Sequence, residues 1–108
     1  MKPSLSQENA VLTLTVPGDL VSTTAPAVRE AARPLLEPGA GAAAAWRLVR
    51  LDLAAASMVD SVGLNLIVTL FKAAQRSGAK MQLLYKDPNV HRTLLFTRLD
   101  KHLELLAA

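Results

Sequence analysis

The sequence predicts an α/β fold, a single small domain in which helices pack on a mixed, mostly parallel sheet. Segments with apolar residues at every second position alternate along the chain with segments whose apolar residues recur at helical spacing. Such alternation is typical of parallel strands joined by right-handed crossover helices. The length of 108 residues suffices for one hydrophobic core without disulfides or metals. We expect one domain over residues 1–108, with its core over about residues 10–106.

The first clear strand is predicted over residues 10–16, where apolar residues alternate with threonine. Pro17-Gly18 then ends the run as a turn would. Leu5 and its neighbours are a candidate for a short preceding strand, which would turn back through residues 7–9. The two segments together predict a strand pair at the start of the chain.

A helix is predicted over residues 25–36. Thr23 or Thr24 can cap its start, and Pro26 is acceptable in the first turn, because its missing N–H would have had no helical partner there. Pro34 is expected to strain or end the last turn.

The second half of the chain continues the alternation. Gly78 is placed to close a long helix in the left-handed conformation, and Asp87 followed by Pro88 is a typical helix start. We predict a mobile surface loop over residues 37–45 and then a strand over 47–53. A helix that begins at Val62 or Gly63 and runs to residue 77 follows, and then a strand over 81–85. A helix from residue 88 onward and a last short strand over 103–106 complete the chain.

Composition and charge argue against several classes of function. The chain has no cysteine, which excludes disulfides and thiolate sites and fits a reducing compartment, so we expect a cytoplasmic location. Its 12 basic residues are scattered, which argues against nucleic-acid binding. No apolar stretch reaches the length of a membrane span, so no membrane insertion is expected. The histidines and carboxylates show no metal-ligand spacing, and we expect neither a metal nor a cofactor.

The most distinctive segment, residues 51–64, places two carboxylates and a serine at one strand-to-helix junction. Asp60 and Ser61 lie where the helix begins, and the helix dipole favours negative charge there. A phosphate on Ser61 would therefore be tolerated, while its added charge near Asp52 and Asp60 would repel a partner that accommodates the bare serine. A simpler interpretation is that Asp60 or Ser61 only caps the helix and that Gly63 is present because the helix packs tightly on the sheet. An exposed Leu64 or Leu66 beside Ser61 would favour a partner surface.

This segment resembles the hallmark of STAS domains, in Leu51-Asp52-Leu53 and then Val59-Asp60-Ser61-Val62-Gly63-Leu64. The resemblance extends to Gly18-Asp19-Leu20 after the first strand, to the Pro88-led helix and to Thr97-Arg98-Leu99-Asp100, where Arg98 replaces a common glycine. It implies an anti-sigma factor antagonist that binds an anti-sigma factor with serine kinase activity, is released when Ser61 is phosphorylated, and is reset by a serine phosphatase. The partner-binding residues it implies are Asp19, Asp52, Asp60, Ser61, Val62, Gly63 and Leu64.

A second hypothesis is a constitutive STAS adaptor or scaffold subunit of a signalling or lipid-transport complex, without phosphorylation. It is favoured by Val21, which stands where the family often has aspartate, and by the basic net charge of +3. Two further departures from the family pattern are Val62, in place of a common second serine, and the short stretch beyond Leu106, where many members have a C-terminal helix. An enzyme is not expected, because the chain has neither a phosphate-binding glycine loop nor a nucleophile-elbow sequence. His91 and His102, the only histidines that could act as a base for Ser61, are more often solvated residues in such segments.

Overall fold

A computed structural model describes residues 3–36 and 46–107, apart from the side chain of Asp100. The loop predicted over residues 37–45 lies outside the described residues. Five strands, four α-helices and one short 3₁₀ helix follow one another in this part of the chain. They are β1 (Ser4–Glu8), β2 (Val11–Thr15), α1 (Ala25–Ala31), α2 (Arg33–Leu36), β3 (Leu48–Leu53), α3 (Ser61–Arg76), β4 (Lys80–Tyr85), α4 (Pro88–Phe96), the 3₁₀ helix (Leu99–Lys101) and β5 (Glu104–Ala107).

The five strands form one mixed sheet in which their spatial order is the order of the chain, β1-β2-β3-β4-β5. β1 is antiparallel to β2, and every other neighbouring pair is parallel. The predicted mixed, mostly parallel sheet of a single small domain is therefore confirmed. The sequence did not determine the strand order.

Burial alternates along the inner strands, as expected for a sheet with one covered face. The covered face carries buried side chains such as Leu14, Leu51 and Leu83, which are at most 2% exposed. These residues belong to one hydrophobic cluster with α1, α3 and α4, to which Val28, Ile67 and Leu94 contribute side chains with no exposed surface. The other face is half-buried and polar, and on it the Arg50 guanidinium donates to Gln82 Oε1 at 3.3 and 3.2 Å.

The single helix predicted over residues 25–36 was wrong, because the structure has two helices with a break at Ala32. Pro34 explains the break. It has no N–H to donate to the carbonyl of Glu30, and its ring would clash with that carbonyl in a continuous helix. The amides of Leu35 and Leu36 bond instead to the carbonyl of Ala32, at 2.9 and 3.1 Å.

In the part of the chain that the structure describes, residues other than glycine adopt the left-handed conformation in two turns. Asn9 and Ala10, with φ of 50° and 65°, form the two-residue turn between β1 and β2, and positive φ at both positions is typical of a type I′ hairpin turn. Arg98, with φ of 61°, ends α4. Gly78 closes α3 with φ of 75°, as predicted.

Candidate functional site

Two loops meet at the carboxyl edge of the sheet, the loop after β2 and the loop after β3. They are joined by an isolated parallel bridge between Leu20 and Val59. The amide of Leu20 donates to the carbonyl of Met58 at 3.1 Å, and the amide of Asp60 donates to the carbonyl of Leu20 at 3.3 Å. The first residues of α3 are thereby held against a loop from a distant part of the sequence.

Asp19 ties the β2 loop to the β3 loop. Its Oδ1 accepts hydrogen bonds from the amide of Ser57 at 2.8 Å, the hydroxyl of Ser57 at 3.0 Å and the amide of Met58 at 3.2 Å. The amide and the hydroxyl of Ser57 hold the pKa of the Asp19 carboxyl below its ordinary value, because both hydrogen bonds favour the charged form. Asp19 is therefore an anion at neutral pH.

Asp60 makes the reciprocal connection and caps α3. Its Oδ1 accepts from the amide of Gly63 at 2.9 Å, and its Oδ2 accepts from the amide of Ser22 in the β2 loop at 2.8 Å. These two donors, Gly63 first, lower the pKa of the Asp60 carboxyl. The simpler sequence interpretation of Asp60 as a helix cap is thus correct, and the same side chain also fixes the neighbouring loop.

Gly63 is required by the close approach of α3 to the β2 loop. A Cβ built at this position would lie 2.2 Å from the carbonyl oxygen of Leu20. Such a distance is far inside van der Waals contact, and no side chain fits without a shift of backbone. The expectation that Gly63 permits close packing is correct, although the surface it packs against is this loop.

Ser61 is the first residue of α3 and its side chain is exposed. In the sequence it is flanked by two exposed apolar residues, Met58 at 57% and Val62 at 45%. Met58, Asp60, Ser61 and Val62 are called the Ser61 face below. The apolar part of this surface does not come from the two leucines considered in the sequence, since Leu64 is half-buried and Leu66 is buried.

Asp52 lies at the same edge of the sheet, but its carboxylate accepts a hydrogen bond from the turn that directly follows it. Oδ1 accepts from the amide of Ala54 at 3.0 Å, and the carbonyl of Asp52 accepts from the amide of Val16. Val21 is half-buried in the β2 loop, where its carbonyl accepts from the amides of Thr24 and Ala25. Of the carboxylates expected near Ser61, Asp19 and Asp60 connect the two loops.

Sequence reasoning missed several residues that build the site. Ser57 and Ser22 supply donors to Asp19 and Asp60, and Met58 is the more exposed of the two apolar side chains of the Ser61 face. Thr24, expected to cap α1, instead uses its hydroxyl within the β2 loop, where it donates to the carbonyl of Asp19 at 2.7 Å. The segment from Ser57 to Ser61 stood out in the sequence as a candidate site. Its hydrogen bonds to Asp19, however, join residues 38 or 39 positions apart, and no local pattern shows them.

The chemistry available at the Ser61 face is that of an exposed hydroxyl beside fixed anions. His91 stacks on Tyr85 with ring centroids 4.9 Å apart, and His102 packs against Phe71 at 6.0 Å. Within residues 3–36 and 46–107, no three histidine or acidic side chains converge on a metal position. In the same described part of the chain, no helix has the length and apolar character needed to span a membrane.

Comparison with known proteins gives a family and a set of similar folds. The model of the STAS domain family matches residues 2–107. Protein TM1081 of Thermotoga maritima is 21% identical, with a TM-score of 0.81, and the match covers 98% of this chain and 86% of that one. An anti-sigma factor antagonist of Mycobacterium paratuberculosis is 21% identical, with a TM-score of 0.79 and coverage of 96% and 83%.

The anti-sigma factor antagonist SpoIIAA has also been solved with the same fold. Its unphosphorylated form is 15% identical, with a TM-score of 0.70 and coverage of 98% of this chain and 88% of that one. The phosphorylated form from Bacillus is 16% identical, with a TM-score of 0.71 and coverage of 98% and 90%. Among curated proteins no significant match is found.

Proposed function

The chain belongs to the STAS domain family, and from this membership together with the geometry around Ser61 we propose that it is a partner-switching anti-sigma factor antagonist of the cytoplasm. In this proposal the unmodified Ser61 face binds an anti-sigma factor with serine kinase activity. Phosphorylation of Ser61 ends the binding, and a serine phosphatase restores it. The protein itself performs no catalysis.

The observation that carries the proposal is the exposure of Ser61 at a capped helix start between Met58 and Val62. A kinase needs an accessible hydroxyl, and a protein partner needs apolar area that can be buried, and both lie within the Ser61 face. Exposed aliphatic side chains flanked by polar groups are typical of protein interaction sites. The same surface can therefore serve as the substrate of a kinase and as the contact of a partner.

Electrostatics explains how one phosphate could change the binding without unfolding the domain. The phosphate adds a charge of about −1.5 to −2. The N-terminus of α3 offsets part of it, since an exposed anion at a helix start gains about 0.3–1 kcal/mol. Asp60, already ionised and adjacent in sequence, would add to the negative potential of the face. A partner complementary to neutral Ser61 would then meet repulsion and a desolvation cost.

Proteins of similar fold support a function that depends on phosphorylation. The fold neighbours named as anti-sigma factor antagonists include one, SpoIIAA, that was solved in both unphosphorylated and phosphorylated forms. Asp52, Gly63 and Leu64, which the family resemblance also assigns to partner binding, remain part of the proposal. In this structure Gly63 is buried and Leu64 half-buried, so we expect Met58 and Val62 to make more of the contact.

The first test is phosphorylation by purified serine kinases of the same genome, followed by intact mass and site mapping. We expect one phosphate on wild type, and none on Ser61→Ala. Ser6→Ala is the matched control, because Ser6 is also exposed but lies on β1, outside the Ser61 face. Phosphate that persists in Ser61→Ala would contradict the assignment of the site.

The second test is binding to the anti-sigma factor that phosphorylates the chain. Ser61→Glu should weaken binding by at least about tenfold, equivalent to about 1.4 kcal/mol, while Ser6→Glu at the exposed control position on β1 should weaken it much less. Circular dichroism would verify that both variants fold. Equal affinity of Ser61→Glu and wild type would refute a charge-controlled switch.

A constitutive adaptor is the second candidate function. It is favoured by the observation that Asp60 already has a complete structural role, since it caps α3 and holds Ser22. In this case Met58 and Val62 would bind a partner permanently and Ser61 would never be modified. Protein isolated from its native host with stoichiometric phosphate on Ser61 would count against it.

A further inference from the structure

A notch opens at the end of the sheet opposite the Ser61 face. β5 pairs with β4 only from Gln82 onward, so Lys80 and Met81 at the start of β4 extend beyond the end of β5. The residues that lead into β5, His102 and Leu103, form the other side of the gap. The resulting cavity has a volume of about 480 Å³, within the range of about 300–1,000 Å³ that is usual for small-molecule sites.

The walls of the notch are mainly apolar. Leu48, Met81 and Leu103 line it from the sheet and from the connection into β5, and Phe71 lines it from α3. The rings of Phe71 and His102 lie with centroids 6.0 Å apart and planes tilted by 49°. Two aromatic rings beside aliphatic side chains form a surface that suits a flat apolar molecule.

The rim of the notch is positively charged. Lys80 and Lys101 are both exposed and both line the cavity. Among the described side chains that line the notch, one is a carboxylate, that of Glu104, whose Oε1 accepts a hydrogen bond from the side-chain amide of Gln82 on the open face of the sheet. Two lysine ammonium groups therefore outnumber the single anion at the mouth of an apolar cavity.

From this combination we propose that the notch binds a small organic anion with a flat aromatic body. The body packs against Phe71 and His102, and the carboxylate or sulfonate of the ligand is held by Lys80 and Lys101. Apolar walls supply contact area, and the lysines fix the orientation and select for negative charge. This site lies at the amino ends of β3 and β4, away from the Ser61 face, so it is independent of the proposed function.

The test is an NMR titration of the full chain labelled with ¹⁵N, with 2-naphthoate as the probe. Saturable shifts should be largest for the amides of Met81, His102 and Leu103, and small for those of Ser61 and Val62. The uncharged analogue 2-naphthalenemethanol should bind at least about tenfold more weakly, because it cannot form a charge-assisted hydrogen bond to lysine. The absence of saturable binding, or shifts centred elsewhere, would overturn the proposal.

Charge-reversal variants separate the site from the overall charge of the protein. Lys101→Glu should weaken binding of 2-naphthoate by at least about tenfold. Lys86→Glu makes the same change of net charge at an exposed position just after β4, on the opposite end of the sheet, and should leave the affinity within about twofold. Equal weakening by the two variants would show that only the net charge matters, and would overturn the proposed site.

Discussion

Replacement of Gly63 by alanine gives a sharp test of the packing that positions Ser61. The added Cβ would lie 2.2 Å from the carbonyl oxygen of Leu20, so α3 and the β2 loop must separate by at least about 1.2 Å to reach ordinary contact. Overpacking of this kind costs about 1–3 kcal/mol. The separation also breaks the bond from the Asp60 amide to the same carbonyl, a loss of about 0.5–1.5 kcal/mol.

One contribution to the change in the free energy of unfolding has the opposite sign. Alanine is a better helix residue than glycine by about 0.5–1 kcal/mol. We therefore expect Gly63→Ala to lower the free energy of unfolding by about 2 kcal/mol. With a urea dependence of about 2 kcal/mol per molar, this corresponds to a fall of about 1 M in the urea midpoint.

The assay is urea unfolding followed by circular dichroism. Asn65→Ala, at an exposed position of the same helix, is the control, and its midpoint should stay unchanged or rise slightly. Because helix propensity alone predicts a more stable protein, a Gly63→Ala midpoint equal to or above that of wild type would refute the steric argument.

Three further predictions concern the turns, the carboxylates and the serine. Ala10→Gly and Arg98→Gly should each stabilise the fold by about 0.5–1 kcal/mol, seen as a Tm higher by a few degrees, because both residues have positive φ; a lower Tm would contradict the left-handed assignment. Asp19 and Asp60 have pKa values lowered by folding, so their contribution to stability is present above about pH 4 and is lost as the pH falls through the lowered pKa. In unfolding experiments across this range Asp19→Asn should be less stable than wild type at neutral pH, and the two curves should converge in acid; parallel curves would exclude the linkage. Ser61→Ala should change the free energy of unfolding by less than about 0.5 kcal/mol, since the side chain is exposed. A larger decrease of this free energy, measured by urea unfolding, would show that Ser61 has a structural role.

Local patterns predicted most elements of the fold because their causes are local. Alternating threonine and apolar residues produced β2, and the apolar stripe of α3 together with Gly78 gave that helix to within two residues at its start and one at its end. Asp87 followed by Pro88 marked the start of α4 correctly, with the carboxylate accepting from the amide of Asn89 at 2.8 Å. Cap and proline signals act within one helical turn, and a sequence displays them directly.

One error was local, and the others arose where contacts between distant segments decide the structure. The break at Ala32 came from Pro34, which disrupts the turn before it. The sequence pattern had placed Pro34 in the last turn of one continuous helix. The hydrogen bonds from Ser57 to Asp19 and from Ser22 to Asp60 depend on the docking of two loops. The exposure of Met58 depends on the same docking, and no periodicity in the sequence encodes it.

The order of the strands has a consequence for how the protein is made. Each strand pairs with the one synthesised immediately before it, so a nascent chain can extend the sheet by one strand at a time without waiting for a distant segment. Until β5 is added, the outer edge of β4 is an open strand edge beside the buried residues Met81 and Leu83. During translation this open edge can pair wrongly with other chains, and β5 covers it and leaves in its place an edge strand of only four residues.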